Sequence, residues 1–368
     1  MTEITKEERY WLWLSSVDGI GPVRFYDTLN VFTDLEQAFH ECALIPELVK
    51  SVTAKQKKAL LESANESYID RLLDSCTRKG IQVLTRLNQD YPHTLAEIEN
   101  PPPVLFYKGV LPNFDEMSCA IVGSRRPTKN GFSTARSLAC GLAGEGVVIV
   151  SGMARGIDTA AHMGALEANG ITVAVLGCGA DVVYPQENRE LYERILDSGA
   201  VISEFLPGTE PKPQFFPQRN RIVSGLSNVL IAGEGGERSG ARITVDDALR
   251  QGRDVYTMIC DLKSPVAKLP LYLMDSGAPV VQKAADVMNG MGWRMRHDSA
   301  VQKSKNGANK LDLLEAQIYN LLLKENLSAG DLAGETGIAI KDINTILTVM
   351  ELKGLIEGMP GDRFRINS

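Results

Sequence analysis

The chain has 368 residues, 44% hydrophobic and 23% charged, a balance that builds two or three soluble domains and excludes intrinsic disorder and collagen-like repeats. No apolar run approaches the ~18 residues that span a bilayer, and MTEITKEERYW lacks the order of a secretory signal, so a cytoplasmic protein without membrane contact is expected. A formal net charge of −7 excludes a uniformly basic coat, so nucleic-acid binding would need a local cationic patch.

In chain order, residues 1–85 carry a helical pattern, with Trp11, Leu14 and Val17, and later Leu60, Leu61, Ile69, Leu72 and Leu73, at spacings of three and four. Within it, LSSVDGIGPVRFYDTL sets Gly19-Ile20-Gly21 in a tight turn near Arg24. That turn is either a helix-hairpin-helix whose N–H groups hold a phosphate or a plain connection; the domain is expected to be helix-hairpin-helix or SAM-like. A sheet begins near Ile81, with IQVLTRL and VLFYKG around Pro101-Pro102-Pro103. From Cys119 the runs CAIVG, VVIVSG, ITVAVLG, AVISEF, NVLIAGE, DVYTMI and APVVQ alternate with helical segments. Short apolar runs without polar alternation mark strands covered on both faces, so residues 86–293 are expected to form a doubly wound, mostly parallel Rossmann-like α/β domain. Residues 294–309 are polar and aperiodic, as in a linker. Residues 310–368 read as a winged helix: an amphipathic LDLLEAQIYNLLL, a helix capped by Ser328, a helix with Ile343, Ile346, Leu347 and Met350 on one face, and two short strands around a Pro-Gly-Asp turn.

Chemistry is expected where the strands' carboxyl ends meet helix N-termini. Four glycine-bearing loops fall there: GSRRPTKNG, SGMARGID, GCGADVVYP and GEGGERSGARIT. Their backbone N–H groups can approach an anion while Arg125, Arg126, Arg155 or Arg238 supplies charge, so together they suit a row of phosphates. Neither GxGxxG followed by an acidic residue nor GxxxxGK[ST] occurs, which disfavours a nicotinamide enzyme and a Walker-type ATPase. Six cysteines without a CxxC pair and four histidines without HExxH signal no metal site and no disulfide framework. In PKPQFFPQRNRIVSGLSN, Arg219 and Arg221 flank Asn220 just after Phe215 and Phe216, the ingredients of a single-strand groove. The plainer alternative is core phenylalanines and structural ion pairs.

The motifs VGSRRPTKNG, SGMARGIDTAAHMGAL, GCGADVVYPQEN, SEFLPGTEP, FFPQRNRIVSGLS and SGARIT, in this order from about Leu84 to Asp261, resemble the DprA (Smf) family of bacterial natural transformation. The resemblance implies a DNA-binding recombination protein without catalytic residues, cofactor or metal. It also implies that the protein binds single-stranded DNA, forms a homodimer through its Rossmann-like domain, and loads RecA onto incoming DNA against single-strand-binding protein. Carried over by position, the DNA contacts are Gly123, Ser124 and Arg125; Arg155 and Gly156; Arg219, Asn220 and Arg221; and Ser239 and Gly240. After the sixth core strand the chain departs from the family: MICDLKSPVAKLPLYLMDSGAP replaces a Val-Pro-Gly turn and an anion loop, leaving Lys263, with Ser264 and Lys268, as candidates. Arg242 stands where the family usually has an aliphatic residue.

Two other functions compete. A phosphoribohydrolase of the LOG, lysine-decarboxylase-like type would cleave nucleoside monophosphates and need a carboxylate near the ribose, for which Glu234 or Asp158 is available, with His162 one helical turn from Asp158. A transcription factor would read duplex DNA through Lys341, Asn344, Thr345 and Thr348, but Asp342 and Glu351 share that helix and the unit has no cationic excess. The expectation is therefore single-strand binding by the central domain, weakened without unfolding when Arg125, Arg219 or Arg221 becomes Ala.

Overall fold

The computed structural model describes residues 4–294 except 115, 238 and 262, and residues 314–366 except 316, 323, 324, 353, 354, 360 and 361. The linker expected at 294–309 therefore lies, apart from Arg294, outside the described residues, as does Arg238. The chain divides into two compact units, residues 1–293 and 294–368.

The first unit opens with six helices: α1 (Lys6–Ser16), α2 (Pro22–Leu29), α3 (Leu35–His40), α4 (Ile45–Leu48), α5 (Ala54–Ser63) and α6 (Glu66–Arg78). Thr5 and Glu8 form a capping box that starts α1, which buries Tyr10, Trp11, Leu12, Trp13 and Leu14 in succession. A helix buried on every side is the centre of its layer, and the others wrap around it. Their shared core continues without a break into Val104 and Phe106 of the sheet. Thr85 donates to Glu8 across the junction at 2.8 Å, and Lys79 pairs with Asp181 at 2.6 Å. The boundary drawn at residue 85 thus falls inside one continuously packed unit.

Nine strands follow: β1 (Gln82–Thr85), β2 (Val104–Gly109), β3 (Ser118–Val122), β4 (Val148–Ser151), β5 (Thr172–Val175), β6 (Ala200–Ser203), β7 (Val229–Ala232), β8 (Asp254–Met258) and β9 (Val280–Val281). They make one sheet in the order β1-β2-β6-β5-β4-β3-β7-β8-β9. β3 through β9 pair in parallel, while β1 and β2 add an antiparallel edge. β3 to β7 are buried along their whole length, as their unbroken apolar runs require. Between and after the strands lie α7 (His93–Ala96), α8 (Lys129–Gly144), α9 (Ile157–Glu167), α10 (Arg189–Ser198), α11 (Phe215–Gly225), α12 (Gly240–Arg250), α13 (Lys268–Asp275) and α14 (Ala284–Gly290). The chain winds outward from β3 to β6, then returns through α11 to β7 on the other side of β3. That reversal opens a crevice above the carboxyl ends of β3 and β7.

In the second unit, helices Ala329–Thr336 and Ile340–Leu352 pack with β10 (Leu327–Ser328), β11 (Ile356–Met359) and β12 (Arg363–Ile366). Ile343, Ile346, Leu347 and Met350 all face its core. The three-stranded order β10-β12-β11 completes a winged helix, with β10 a strand that the two-strand reading omits. It is only two residues long, too short to leave a periodic signal.

Candidate nucleic-acid interface

A cavity of about 560 Å³ occupies the crevice. The loop after β3 contributes Gly123, Ser124 and Arg125, and the loop after β4 contributes Gly152 and Ala154. The opposite wall is Phe216, Arg219 and Asn220 of α11, with Ser239 and Gly240 where α12 begins. Seven residues of the expected contact set, from three separated segments, thus converge on one opening: Gly123, Ser124 and Arg125; Arg219 and Asn220; and Ser239 and Gly240.

The helix N-termini around this opening differ in a way the sequence does not announce. Each carries unpaired N–H groups and a partial positive charge, but two already hold a carboxylate of the chain itself. Glu234, only 1% exposed, accepts from the Thr128 backbone N–H at 2.6 Å and from its hydroxyl at 2.7 Å, closing the start of α8. Asp158, in the first turn of α9, accepts from the Ala154 N–H at 3.3 Å. Burial pushes Asp158 up to about 6, against the nearby Arg219 and hydrogen bonds from the Ala154, Gly152 and Gly123 amides. By contrast, α11 starts at Gln214 without a side-chain cap, and α12 is capped by the neutral hydroxyl of Ser239. Of the four glycine loops expected to hold a row of phosphates, those after β3 and β4 lead to helix ends that are internally neutralised, GCGADVVYP brings only Tyr184 to the cavity, and the loop after β7 leads to the α12 start, which faces the cavity together with the α11 start that follows β6.

The arginines divide as well. Arg125 is exposed at the mouth, 5.5 Å from the Phe216 ring centroid, and Phe216 lies 5.4 Å from Tyr184. Arg219, 4% exposed, forms part of the wall but is turned inward: its Nη1 donates to the Gly152 carbonyl at 2.6 Å and to that of Val175. Arg221 pairs with Glu204 and lies outside the cavity lining. Arg155 pairs with Glu187 on the surface and borders a small recess beside the main cavity. Asn220 donates to the Gly240 carbonyl at 3.2 Å, tying α11 to α12. Gly156 has φ 81° and starts α9; a side chain there would strike Pro127 at 2.7 Å, so its place is explained by backbone shape. Lys263 is exposed on the divergent loop, away from the cavity lining, and Arg242 pairs with Asp246 while lying 3.7 Å from the Tyr272 centroid.

The groups proposed for hydrolysis are also engaged. His162 is fully buried, and its Nδ1 lies 2.7 Å from the Thr172 hydroxyl, which itself donates to the Ile149 carbonyl. Burial drives this imidazole down to about 3, with Arg219 adding to the effect. It is a packing histidine. In the helical layer, Arg24 donates to the carbonyls of Ser51 at 2.6 Å and Gly19 at 2.8 Å, so its charge braces the Gly19–Gly21 turn. The sequence reading passed over Tyr184 and Pro213, which line the cavity; only the loop geometry brings them to Phe216. No group of three or more metal-ligating side chains occurs among the described residues.

The family model of DNA recombination-mediator protein A matches residues 82–292, and that of the DprA winged helix domain matches residues 302–362. The chain belongs to the DprA (Smf) family. It is 31% identical to Protein Smf of Synechocystis sp. over 98% of both chains, and 42% identical to DNA processing protein DprA of Streptococcus pneumoniae over 55% of this chain and 71% of that one. The X-ray structure of the S. pneumoniae protein superposes with a TM-score of 0.67 at 33% identity, covering 78% of this chain and 98% of that one. A structure concerned with the single-stranded DNA binding mode of DNA processing protein A from Helicobacter pylori gives a TM-score of 0.52 at 27% identity, over 57% of this chain and 95% of that one. Family membership makes this a DNA-processing protein of recombination and transformation, with the family's Rossmann-like and winged-helix parts. No helix among the described residues is long and apolar enough to cross a membrane.

Proposed function

We propose that the protein binds single-stranded DNA in the crevice between β3 and β7 and acts without catalysis, protecting incoming strands and loading RecA onto them. One observation carries this reading: the starts of α11 and α12, neither of them capped by a carboxylate, share a cavity with Arg125 and Phe216, a single-strand site that offers helix-end positive potential and a cation to phosphate and an aromatic face to a base. The contacts are Gly123, Ser124, Arg125, Asn220, Ser239 and Gly240, with Arg219 shaping the wall. The relative from H. pylori, whose structure concerns single-stranded DNA binding, supports the choice of ligand. A hydrolase would need a free carboxylate, whereas Glu234 is committed to Thr128 and Asp158 to the loop amides beside Arg219.

Fluorescence anisotropy with single-stranded and duplex oligonucleotides at two salt concentrations tests the binding. Preference for the single strand with a steep salt dependence is expected; equal affinity for duplex overturns it. RecA loading is tested by RecA filament assembly on DNA coated with single-strand-binding protein. A homodimer is also proposed, through the exposed apolar side chains Ile243 and Leu249 of α12, Leu271 and Tyr272 of α13, and Val280 at the sheet edge. Light scattering at micromolar concentration should give twice the chain mass of 40.1 kDa.

A further inference from the structure

Phe215 and Phe216 are neighbours at the start of α11 but face different surroundings. Successive helical residues project about 100° apart, so only Phe216 enters the cavity. Phe215 instead stacks on Phe205, from the loop after β6, with ring centroids 4.3 Å apart and planes inclined by 32°. The ammonium of Lys212 stands 5.5 Å from the Phe215 centroid. Both rings are partly exposed and Lys212 is exposed; of the carboxylates around them, Glu204 pairs with Arg221, Asp181 is neutralised by Lys79 and by the Gly208 N–H at 2.7 Å, and Glu210, two residues before Lys212, is exposed. The arrangement repeats, just outside the cavity, the pattern inside it: Arg125 beside Phe216 and Tyr184, then Lys212 beside Phe215 and Phe205. Pro213 separates Lys212 from the α11 start and itself lines the cavity rim, so the two aromatic–cation groups are continuous.

We propose that Phe205, Phe215 and Lys212 form a second nucleotide subsite, which stacks the base and holds the phosphate next to the nucleotide seated in the cavity. This rests on the reading of the cavity as a single-strand site. An aromatic face accepts any base, and a cation beside it tracks the backbone, so two such groups in line select a polymer over a mononucleotide. The separation of roles is chemical: the rings recognise bases and Lys212 recognises the phosphate.

The test uses the full chain and two probes of equal length, an oligothymidylate and an abasic deoxyribose-phosphate oligomer. Phe215→Ala should weaken oligothymidylate binding about tenfold, the order of one lost stacked base, and leave the abasic oligomer unaffected. Phe215→Trp should restore it. Lys212→Gln should weaken both probes and reduce the slope of log affinity against log salt by about 0.7. Arg125→Ala is the control for the cavity itself. If Arg125→Ala weakens binding while Phe215→Ala and Lys212→Gln do not, the second subsite is refuted and the cavity stands. If Phe215→Ala weakens both probes equally and lowers the melting temperature, the rings only brace α11, which also refutes it. If no variant changes binding, the reading of the cavity fails first.

Discussion

Arg219 and Asp158 meet across Gly152: a Cβ at that glycine would lie 2.6 Å from Nη1 of the guanidinium and 2.7 Å from Oδ2 of the carboxylate. The two buried charges therefore share one side of the β4 loop, and the loop has room for them only because residue 152 has no side chain. Arg219 is as much a part of the fold as of the site.

The first prediction follows from that pairing. Arg219→Ala removes the buried guanidinium that donates to the Gly152 and Val175 carbonyls and lies near the buried Asp158, and losing hydrogen bonds from a charged group typically costs about 1.5–3 kcal/mol. Chemical denaturation should show a loss of this order, together with lost DNA binding. Arg125→Ala, at an exposed position, should change stability by less than about 0.5 kcal/mol and still weaken single-strand binding. The two arginines, equivalent in the sequence, should separate in a measurement of stability beside affinity.

Two buried groups give stability a pH dependence of opposite signs. His162 has its folded value lowered to about 3, so its contribution is full above about 6.5 and is lost as pH falls toward 3. Asp158, raised to about 6, contributes most below about 4 and loses that contribution as pH rises through 6. Between pH 7 and pH 5 the histidine alone costs about 2 kcal/mol. Comparing His162→Gln with the parent chain at these two pH values should therefore show a smaller acid-induced loss, or a gain, in the variant; parallel losses would contradict the assignment.

Glu234 should prove structural. Glu234→Ala removes the acceptor for two Thr128 donors at the start of α8 and should destabilise the protein by about 2 kcal/mol. Nucleoside monophosphates should remain unhydrolysed by the parent chain and by this variant alike; turnover by the parent that disappears in the variant would restore the hydrolase reading.

The packing also fixes where the chain can be cut. A fragment of residues 86–295 discards β1 and uncovers Val104 and Phe106, so it should express poorly or aggregate. A fragment of residues 1–293 keeps the whole first unit and should retain most single-strand affinity. Residues 310–368 alone should bind DNA weakly, and tight binding by that segment in a gel-shift assay would favour the transcription-factor role.

What the sequence by itself determined was local or periodic. Buried runs such as VVIVSG and NVLIAGE fixed the strands, because a strand covered on both faces has no polar alternation to lose. The spacing of Ile343, Ile346, Leu347 and Met350 fixed the buried face of the winged-helix segment, because four side chains at helical spacing must share one side. The glycine loops gave the edge on which the site lies, since strand ends and helix starts are set by the same alternation. Tertiary structure alone decided which of those loops is open. Glu234 reaches α8 from the loop after β7, 106 residues after Thr128, and Arg221 turns to Glu204 while Arg219, two positions earlier, turns to Gly152. The order of residues carries no trace of such choices, because a carboxylate or guanidinium settles on whichever buried partner the packed elements bring within hydrogen-bonding distance.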